Sequence, residues 1–217
     1  MDDRRRRVKT NRSVSAILGN MSATRRPERR STQSAEAITE AAMELCLEVG
    51  YNRLSIEGIA SRAGVGKQTI YRWWPSKGAV LLDALLARME LDGAFPDTGD
   101  IVADLKTQQA ALIDTLGGPE IGPHYRALIG EAQHNPDLKQ ALHDRLIGPL
   151  TAAGAARIRR AQEQGQINPD HDPDIIVELL YGAVYHRWLL QQQPIDAGHI
   201  HRTIDTAFAG LGPRHDR

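Results

Sequence analysis

The sequence predicts an all-α protein, and three observations support this fold class. Apolar residues recur at helical spacing from about residue 33 onward. Long segments with the strict alternation of half-buried strands are absent from the sequence. Pairs such as Asn135-Pro136 and Asp172-Pro173 stand where helices of this spacing should begin, as an N-cap followed by a proline in the first turn.

The composition excludes several classes of protein. Of 217 residues, 41% are hydrophobic and 25% are charged, which is ordinary for a folded domain. The single cysteine, Cys46, excludes a disulfide framework and a cysteine-based zinc site, and its place in the first helix predicts inert packing. No apolar run approaches the ~20 residues that span a bilayer, and no signal peptide is visible, so we expect a cytoplasmic protein.

Charge is distributed unevenly although the net charge is zero. Residues 1–90 carry 16 basic and 10 acidic side chains, whereas the remainder carries 11 and 17. Residues 1–32 alone hold ten basic side chains and few large apolar ones, which predicts a flexible basic arm. This arm is either a solvated tail or an extension that adds phosphate contacts. The asymmetry predicts a polyanionic partner for the N-terminal part.

The first predicted helix begins near Gln33 and carries an apolar stripe. Its inward residues are Ile38, Ala41, Ala42, Leu45 and Val49. Gly50 ends this helix as its C-terminal cap.

Two short helices follow the first one. Ser55 is the expected N-cap of the second helix, and Gly64 is suited to a left-handed turn after it. A third helix is predicted over about 66–73, before Pro75, with Val65 and Ile70 packing it against the second. The second helix has a small apolar inner face of Ile56, Ile59, Ala60 and Ala63. This arrangement is typical of a helix-turn-helix, and we assign residues 33–80 to a DNA-binding domain.

A fourth helix, about 76–92 and capped by Ser76, should join this head to the rest of the chain. Its apolar residues are Val80, Leu81, Ala84, Leu85 and Met89. The segment 92–99 is rich in helix breakers and is predicted to be a loop. Residues 81–217 are predicted to form a larger helical body for ligand binding and dimerisation. Its helices are expected near 100–116, 121–134, 136–165, 173–192 and 196–211.

The third helix offers hydrogen-bond donors suited to a DNA major groove. Gln68 could read adenine, while Lys67 or Arg72 could bind guanine or a phosphate. Thr69 and Tyr71 are expected to position phosphates. Lys77, with the first backbone amides of the fourth helix, is a further expected phosphate contact. The alternative is an ordinary surface pair of helices with solvated charges.

The run from about Ile38 to Leu86 resembles the DNA-binding region of TetR/AcrR-type transcriptional regulators. The matching segments are Ala42…Gly50-Tyr51, Leu54-Ser55-Ile56-Glu57-Gly58-Ile59-Ala60, Ala63-Gly64-Val65, Thr69-Ile70-Tyr71 and Pro75-Ser76-Lys77. The resemblance implies a three-helix DNA-binding head, an all-α ligand-binding body and a homodimer. It also implies a set of residues at the DNA, namely Ser55, Lys67, Thr69, Tyr71, Trp73 and Lys77.

Two positions depart from the pattern of that family. Gly66 stands where the family often has Ser or Thr, so a capping or phosphate-binding hydroxyl is missing. Trp73-Trp74 stands where His or Tyr followed by Phe is common. We expect Trp74 to pack inward and Trp73 to press on the sugar-phosphate edge.

The segment 175–190 predicts a dimer interface. It is apolar around nearly its whole circumference and is interrupted only by Glu178, His186 and Arg187. The last helix offers a second face formed by Ile200, Ile204, Ala207, Phe208 and Leu211. Two helices from each copy would give a symmetric four-helix interface, which Trp188→Asp should disrupt. The alternative is that the segment is simply the core of the body.

Polar and aromatic side chains on the body helices predict a small-molecule site. The candidates are Tyr125, Gln133, Tyr181, Tyr185, His186 and Trp188. An apolar or aromatic compound would suit such a site, and the break at 117–119, just before His124 and Tyr125, could act as a gate. Alternatively, these residues belong to the core or to an interface.

No catalytic, metal or cofactor site is predicted. The acidic stretch 168–174 could hold a cation, but its prolines and capping residues favour a loop that opens a helix. His199 and His201 would lie about 200° apart on a helix, so their side chains do not converge. P-loop, dinucleotide-binding and nucleophile-elbow motifs are absent from the sequence.

The sequence therefore predicts a dimeric, ligand-responsive transcriptional regulator, most simply a repressor released from a palindromic DNA operator by a small molecule. Two other classes stay open at this point. An architectural DNA-binding protein without an effector would have a closed, fully packed body. A small-molecule enzyme would show converging ionisable groups in a cleft.

Overall fold

The computed structural model describes residues 25–89, 95–191 and 196–211, with side chains described from residue 32 onward. Within these residues the chain forms ten α-helices, a 3-10 turn and one π-helical segment. The head helices are α1 (Arg25–Val49), α2 (Ile56–Ala63) and α3 (Lys67–Tyr71), with the 3-10 turn at Tyr51–Arg53, and α4 (Lys77–Arg88) follows them. The body comprises α5 (Ile101–Gly117), α6 (Gly122–Ala132), α7 (Pro136–Leu142), the π segment His143–Ile147, α8 (Gly148–Glu163), α9 (Pro173–Leu190) and α10 (Ala197–Leu211). The predicted all-α class and the two-part architecture are confirmed.

Helix α1 begins at Arg25, eight residues before the predicted start near Gln33. The apolar stripe starts only near Ala35 and Ile38, so residues 25–34 extend the helix without an apolar face that periodicity could detect. The part of the predicted basic arm before Arg25 lies outside the described residues.

The turn between α2 and α3 forms as its sequence predicts. The Ser55 hydroxyl accepts a hydrogen bond from the Gly58 amide and caps α2. Gly64 adopts a left-handed conformation with φ 65°, which a side chain would strain. Ile59 and Ile70 are fully buried and join the two helices.

Helix α4 packs against both the head and the body. Val80, Leu81 and Leu85 are fully buried in a core that continues from one part to the other. At Gly78 a Cβ atom would lie 2.9 Å from the Tyr51 hydroxyl and 3.0 Å from a Leu138 methyl group. Glycine here lets α4 approach the head and α7 together, so a displacement of α7 acts on α4 directly.

The predicted helix 136–165 is helical throughout but contains a π segment at His143–Ile147. Pro149 has no backbone N–H, so it cannot make the regular hydrogen bond to the carbonyl of Arg145, four residues earlier. The wider π turn accommodates this missing bond between α7 and α8.

A buried ion pair holds the loop after α4 against the body. Arg157 donates to an Asp104 carboxylate oxygen at 2.8 Å and to the Pro96 carbonyl at 2.8 Å, and both charged side chains are buried. Burial by itself would raise the pKa of Asp104. Hydrogen bonds from Arg157 and Thr98 overcome this effect and lower that pKa below its ordinary value. The charged pair is therefore an anchor for the connection between head and body.

Among the residues that the structure describes, no helix combines the length and the hydropathy that crossing a bilayer requires.

Candidate nucleic-acid interface

Helix α3 exposes the face that the sequence predicts for DNA. Ile70 is fully buried beneath it, whereas Lys67, Gln68 and Arg72 are exposed and Thr69 is half-buried. Tyr71 and Trp73 each keep 53% of their surface exposed, which is unusual for side chains of this size. The helix therefore presents its polar and aromatic side chains to solvent as one rigid surface.

Lys67 forms an exposed ion pair with Glu57. Its ammonium donates to a Glu57 carboxylate oxygen at 3.0 Å, and this hydrogen bond raises the pKa of Lys67 and lowers that of Glu57. Exposed ion pairs contribute little to stability, so the ammonium can exchange Glu57 for a phosphate or a base at small cost.

Arg72 and Trp73 form a cation–π pair at the end of α3. The guanidinium carbon of Arg72 lies 5.3 Å from the centroid of the Trp73 ring. Stacking orients the guanidinium without using its hydrogen-bond donors, which stay available to a phosphate or to guanine. Trp74, in contrast, packs inward with 6% exposure, as predicted.

Lys77 has a role inside the head that the sequence did not reveal. Its Nζ donates to the carbonyl oxygens of Tyr51 at 2.8 Å and Leu54 at 3.0 Å, and it lies 4.5 Å from the centroid of the Tyr51 ring. These contacts fix the 3-10 turn before α2 and use two of the three ammonium hydrogens. The Ser55 hydroxyl is likewise engaged as the cap of α2. The phosphate contacts of Lys77 and Ser55 stay predictions.

Three of the predicted ligand-binding residues come together in the body. The hydroxyl oxygens of Tyr125 and Tyr185 lie 2.9 Å apart, and the rings of both contact Trp188 with centroid distances of 5.7 and 6.1 Å. Burial raises the pKa of both tyrosines, so the hydroxyls stay protonated. We call Tyr125, Tyr185 and Trp188 the aromatic cluster.

Two adjacent glutamines of α5 that sequence reasoning missed, Gln108 and Gln109, contact α9. The hydroxyl of Tyr181, which the sequence nominated, donates to the Gln108 side chain at 2.5 Å. Gln109 is fully buried, and its Oε1 has no hydrogen-bond partner within the described part of the chain. A buried acceptor without a donor is costly, so this atom favours a ligand or water that can donate a hydrogen bond. The signal in the sequence was a glutamine on the inward stripe of α5.

Two of the predicted ligand-binding residues lie away from the aromatic cluster. Gln133 is exposed at the end of α6 and donates to the carbonyl of Ile129 in its own helix. His186 is exposed on α9 and contacts Gln191, because it lies one residue beyond Tyr185 and so points about 100° away from it. Neither residue takes part in the aromatic cluster, and their role in ligand binding stays a prediction.

The predicted dimer face also needs correction. Trp188 keeps only 8% exposure, and its indole donates to the carbonyl of Leu116, so it belongs to the core of its own chain. Ile200 and Ile204 of α10 are fully buried as well. The exposed large apolar residues of α9 are instead Ile175, Leu179 and Leu190.

Helix α6 connects the aromatic cluster to the head. His124 is buried, with Nε2 2.9 Å from the Met43 carbonyl of α1 and Nδ1 2.9 Å from the Glu120 carbonyl. Carbonyl oxygens only accept hydrogen bonds, so the ring donates to at least one of them. The next residue is Tyr125 of the aromatic cluster, so a shift of α6 would act on both parts.

The acidic stretch 168–174 forms the loop that leads into α9, as its prolines predict. Asp172 accepts a hydrogen bond from the Asp174 amide at the start of α9, and Asn168 accepts one from the Asp170 amide. No group of three or more potential metal ligands converges anywhere in the described ranges.

Two family models match the chain, one in each part. The model described as "Bacterial regulatory proteins, tetR family" matches residues 38–84. The model described as "Tetracyclin repressor-like, C-terminal domain" matches residues 95–207. A curated relative, the DNA-binding transcriptional repressor TetR of Mycobacteroides abscessus, is 30% identical over 194 residues, covering 84% of this chain and 95% of its own.

Solved structures share the fold. The crystal structure of the TetR family transcription regulator SCO0332 is 38% identical, with a TM-score of 0.67, and covers 83% of this chain and 100% of its own. A structure of SmeT in complex with triclosan is 21% identical, with a TM-score of 0.64, and covers 82% of this chain and 91% of its own. The latter likeness concerns the fold alone.

Proposed function

We propose, since the chain belongs to the TetR family of DNA-binding transcriptional regulators, that it is a homodimeric repressor released from a palindromic operator by a small molecule. The observation that carries the proposal is the exposed polar and aromatic face of α3 above a fully buried Ile70. The name of the Mycobacteroides relative, a transcriptional repressor, supports repression over activation. The predicted cytoplasmic location stays a prediction.

The dimer is proposed through α9. Ile175, Leu179, Gly182 and His186 recur at a spacing that places them along one side of that helix. Ile175 and Leu179 are more than half exposed, at 59% and 54%, and the small residue Gly182 follows them on the same side of the helix. A row of large and small apolar residues left open in one chain is suited to a two-fold contact with a second copy.

The effector is proposed to bind beside the aromatic cluster. The two tyrosine hydroxyls are polar groups that could orient a ligand among apolar side chains. Gln109 Oε1 on α5 is a further buried acceptor, without a partner among the described residues. SmeT, which shares this fold, forms a complex with triclosan. We therefore propose a small aromatic compound with at least one hydroxyl group as the class of effector.

Ligand binding is proposed to act through α6. Tyr125 belongs to the aromatic cluster, and the adjacent His124 contacts the Met43 carbonyl in the head. One helix can therefore respond to the ligand and hold the DNA-binding part. A ligand changes DNA affinity only if it binds one of the two arrangements more tightly. We propose that the liganded arrangement separates the two heads by a distance that no longer matches the operator.

The DNA-binding part of the proposal is tested by selecting duplex fragments from a random pool with the full-length protein. We expect the selected fragments to share an inverted repeat, with half-site centres about 34–36 Å apart or a multiple of that distance, because two identical heads are related by a two-fold axis. Fragments without any inverted repeat would contradict a dimer that binds through both heads.

The effector is tested by screening hydroxylated aromatic compounds for thermal stabilisation and for release of the selected DNA. A ligand at about a hundred times its Kd adds about 2.7 kcal/mol of stability, which raises the Tm of a chain of this size by about 5–10 °C. Tyr185→Phe should weaken this response, because it removes a hydroxyl from the cluster.

Tyr71→Phe is the matched control in this screen, because it removes a hydroxyl from the head and should leave the thermal response intact. If no compound stabilises the protein or releases the DNA, the result would favour an architectural DNA-binding protein without an effector.

A further inference from the structure

Asp83, in the middle of α4, joins a head residue to a body residue through its two carboxylate oxygens. The indole Nε1 of Trp74 donates to Asp83 Oδ2 at 2.6 Å. The guanidinium Nη1 of Arg145 donates to Asp83 Oδ1 at 2.5 Å. Both hydrogen bonds end on the same carboxylate group, so one side chain of α4 joins the two partners.

The head end of this link lies at the base of the DNA-binding face. Trp74 follows α3 closely, and its amide donates to the carbonyl of Ile70, in the last turn of that helix. Trp74 is buried, whereas the adjacent Trp73 is exposed beside Arg72. A displacement of the Trp74 indole therefore changes where α3 ends and where Trp73 and Arg72 are held.

The body end of the link lies in the π segment His143–Ile147. Segments of this kind recur at functional sites, where the regular hydrogen-bond ladder of a helix is interrupted. Leu146 of the segment is fully buried, so the neighbouring Arg145 is held by the packing of the body while its side chain extends to α4.

We propose that Asp83 is a positioning residue for the recognition helix α3, and that it couples the orientation of α3 to the π segment of the body. This link uses α4 and the segment between α7 and α8, and so it is separate from the contact of His124 with α1. The proposal rests on the proposed binding of DNA by α3. The hydrogen bonds of Asp83 to Trp74 and Arg145 keep α3 in the orientation that binds DNA.

The test is a double-mutant cycle on affinity for the selected duplex DNA. Arg145→Gln should weaken binding about 1.5- to fivefold, the range that an ion pair of this exposure supports. Asp83→Asn should weaken it at least as much, because the asparagine oxygen still accepts from the indole but no longer attracts Arg145. The double variant should bind like Asp83→Asn alone, because both changes break the same link.

Arg159→Gln is the matched control for this cycle. It also removes one positive charge from the body, from a side chain of similar exposure (55% against 48% for Arg145), but this arginine lies near Asp174 and not near α4. Its DNA affinity should equal that of the wild type. An equal loss in Arg159→Gln would overturn the proposal, because charge alone would then account for the effect.

Hydrogen exchange adds a readout that a loss of charge cannot mimic. Binding of DNA should increase the protection of amides 143–147 in the wild type, because coupling between two sites is reciprocal, and this increase should vanish in Asp83→Asn. Unchanged or tighter DNA binding by Arg145→Gln, additive losses in the double variant, or unaltered protection of the segment would each overturn the coupling alone. A wild-type protein that binds no duplex DNA would instead overturn the proposed function.

Discussion

A chain that carries both Lys67→Ala and Tyr71→Phe is expected to bind its operator about a hundredfold or more weakly than the wild type. Each head loses an ammonium and a hydroxyl from the exposed face of α3. Because a dimer has two heads, it loses two of each group at the DNA. The loss should be measured by fluorescence anisotropy on the selected duplex. The slope of log affinity against log salt should also become shallower, because fewer counterions are released.

Lys139→Ala is the control for this prediction, since it removes an exposed lysine from α7 in the body. Its operator affinity and salt slope should match those of the wild type. Thermal unfolding should show that the double variant keeps the stability of the wild type, because both altered side chains are exposed. Undiminished binding by a folded double variant at physiological salt would remove α3 from the DNA interface.

Leu179→Asp is expected to convert the dimer into monomers at micromolar concentration. Two-fold symmetry places two new carboxylates in one interface, and each costs several kcal/mol when buried without a partner. A total of about 4 kcal/mol or more raises the dimer dissociation constant at least about a thousandfold. Sedimentation velocity measures this change, and operator affinity should fall with it, because a monomer binds only one half-site.

Leu47→Asp is a closely matched control for the dimer prediction. Leu47 is 53% exposed against 54% for Leu179, but it lies on α1 of the head. This variant should stay dimeric, whereas Trp188→Asp should reduce the thermal stability of the fold, because Trp188 is buried in its own chain. A Leu179→Asp protein that sediments as a dimer would falsify the α9 interface.

The head could be predicted from the sequence because its structure depends on interactions between residues close in the chain. The Ser55 hydroxyl caps the amide three residues later, and Gly64 supplies the left-handed turn by itself. The buried positions Ile59 and Ile70 follow from helical spacing. Lys67 and Tyr71 are the first and last residues of the same short helix, and both are exposed.

The body site and the dimer face could be predicted only in part, because α9 is apolar on almost every side. Periodicity cannot say which face of such a helix turns toward its own chain. The sequence alone thus placed Trp188 at the interface, while packing places it in the core with Tyr125 and Tyr185. Leu179 of the same helix stays exposed, so we propose Leu179 and not Trp188 as an interface residue.

The sequence by itself determined the helical class, the helix-turn-helix with its exposed face, and the family, since each depends on patterns within a few residues of the chain. Only the tertiary structure decided how distant residues pair: Asp83 with Arg145, 62 positions apart, Arg157 with Asp104, 53 apart, and Tyr125 with Tyr185, 60 apart. Pairs at this separation form when whole helices pack, so no local pattern specifies them. The contact of α4 with the π segment depends on such a pair, whereas the exposed face of α3, which we propose as the DNA contact, does not.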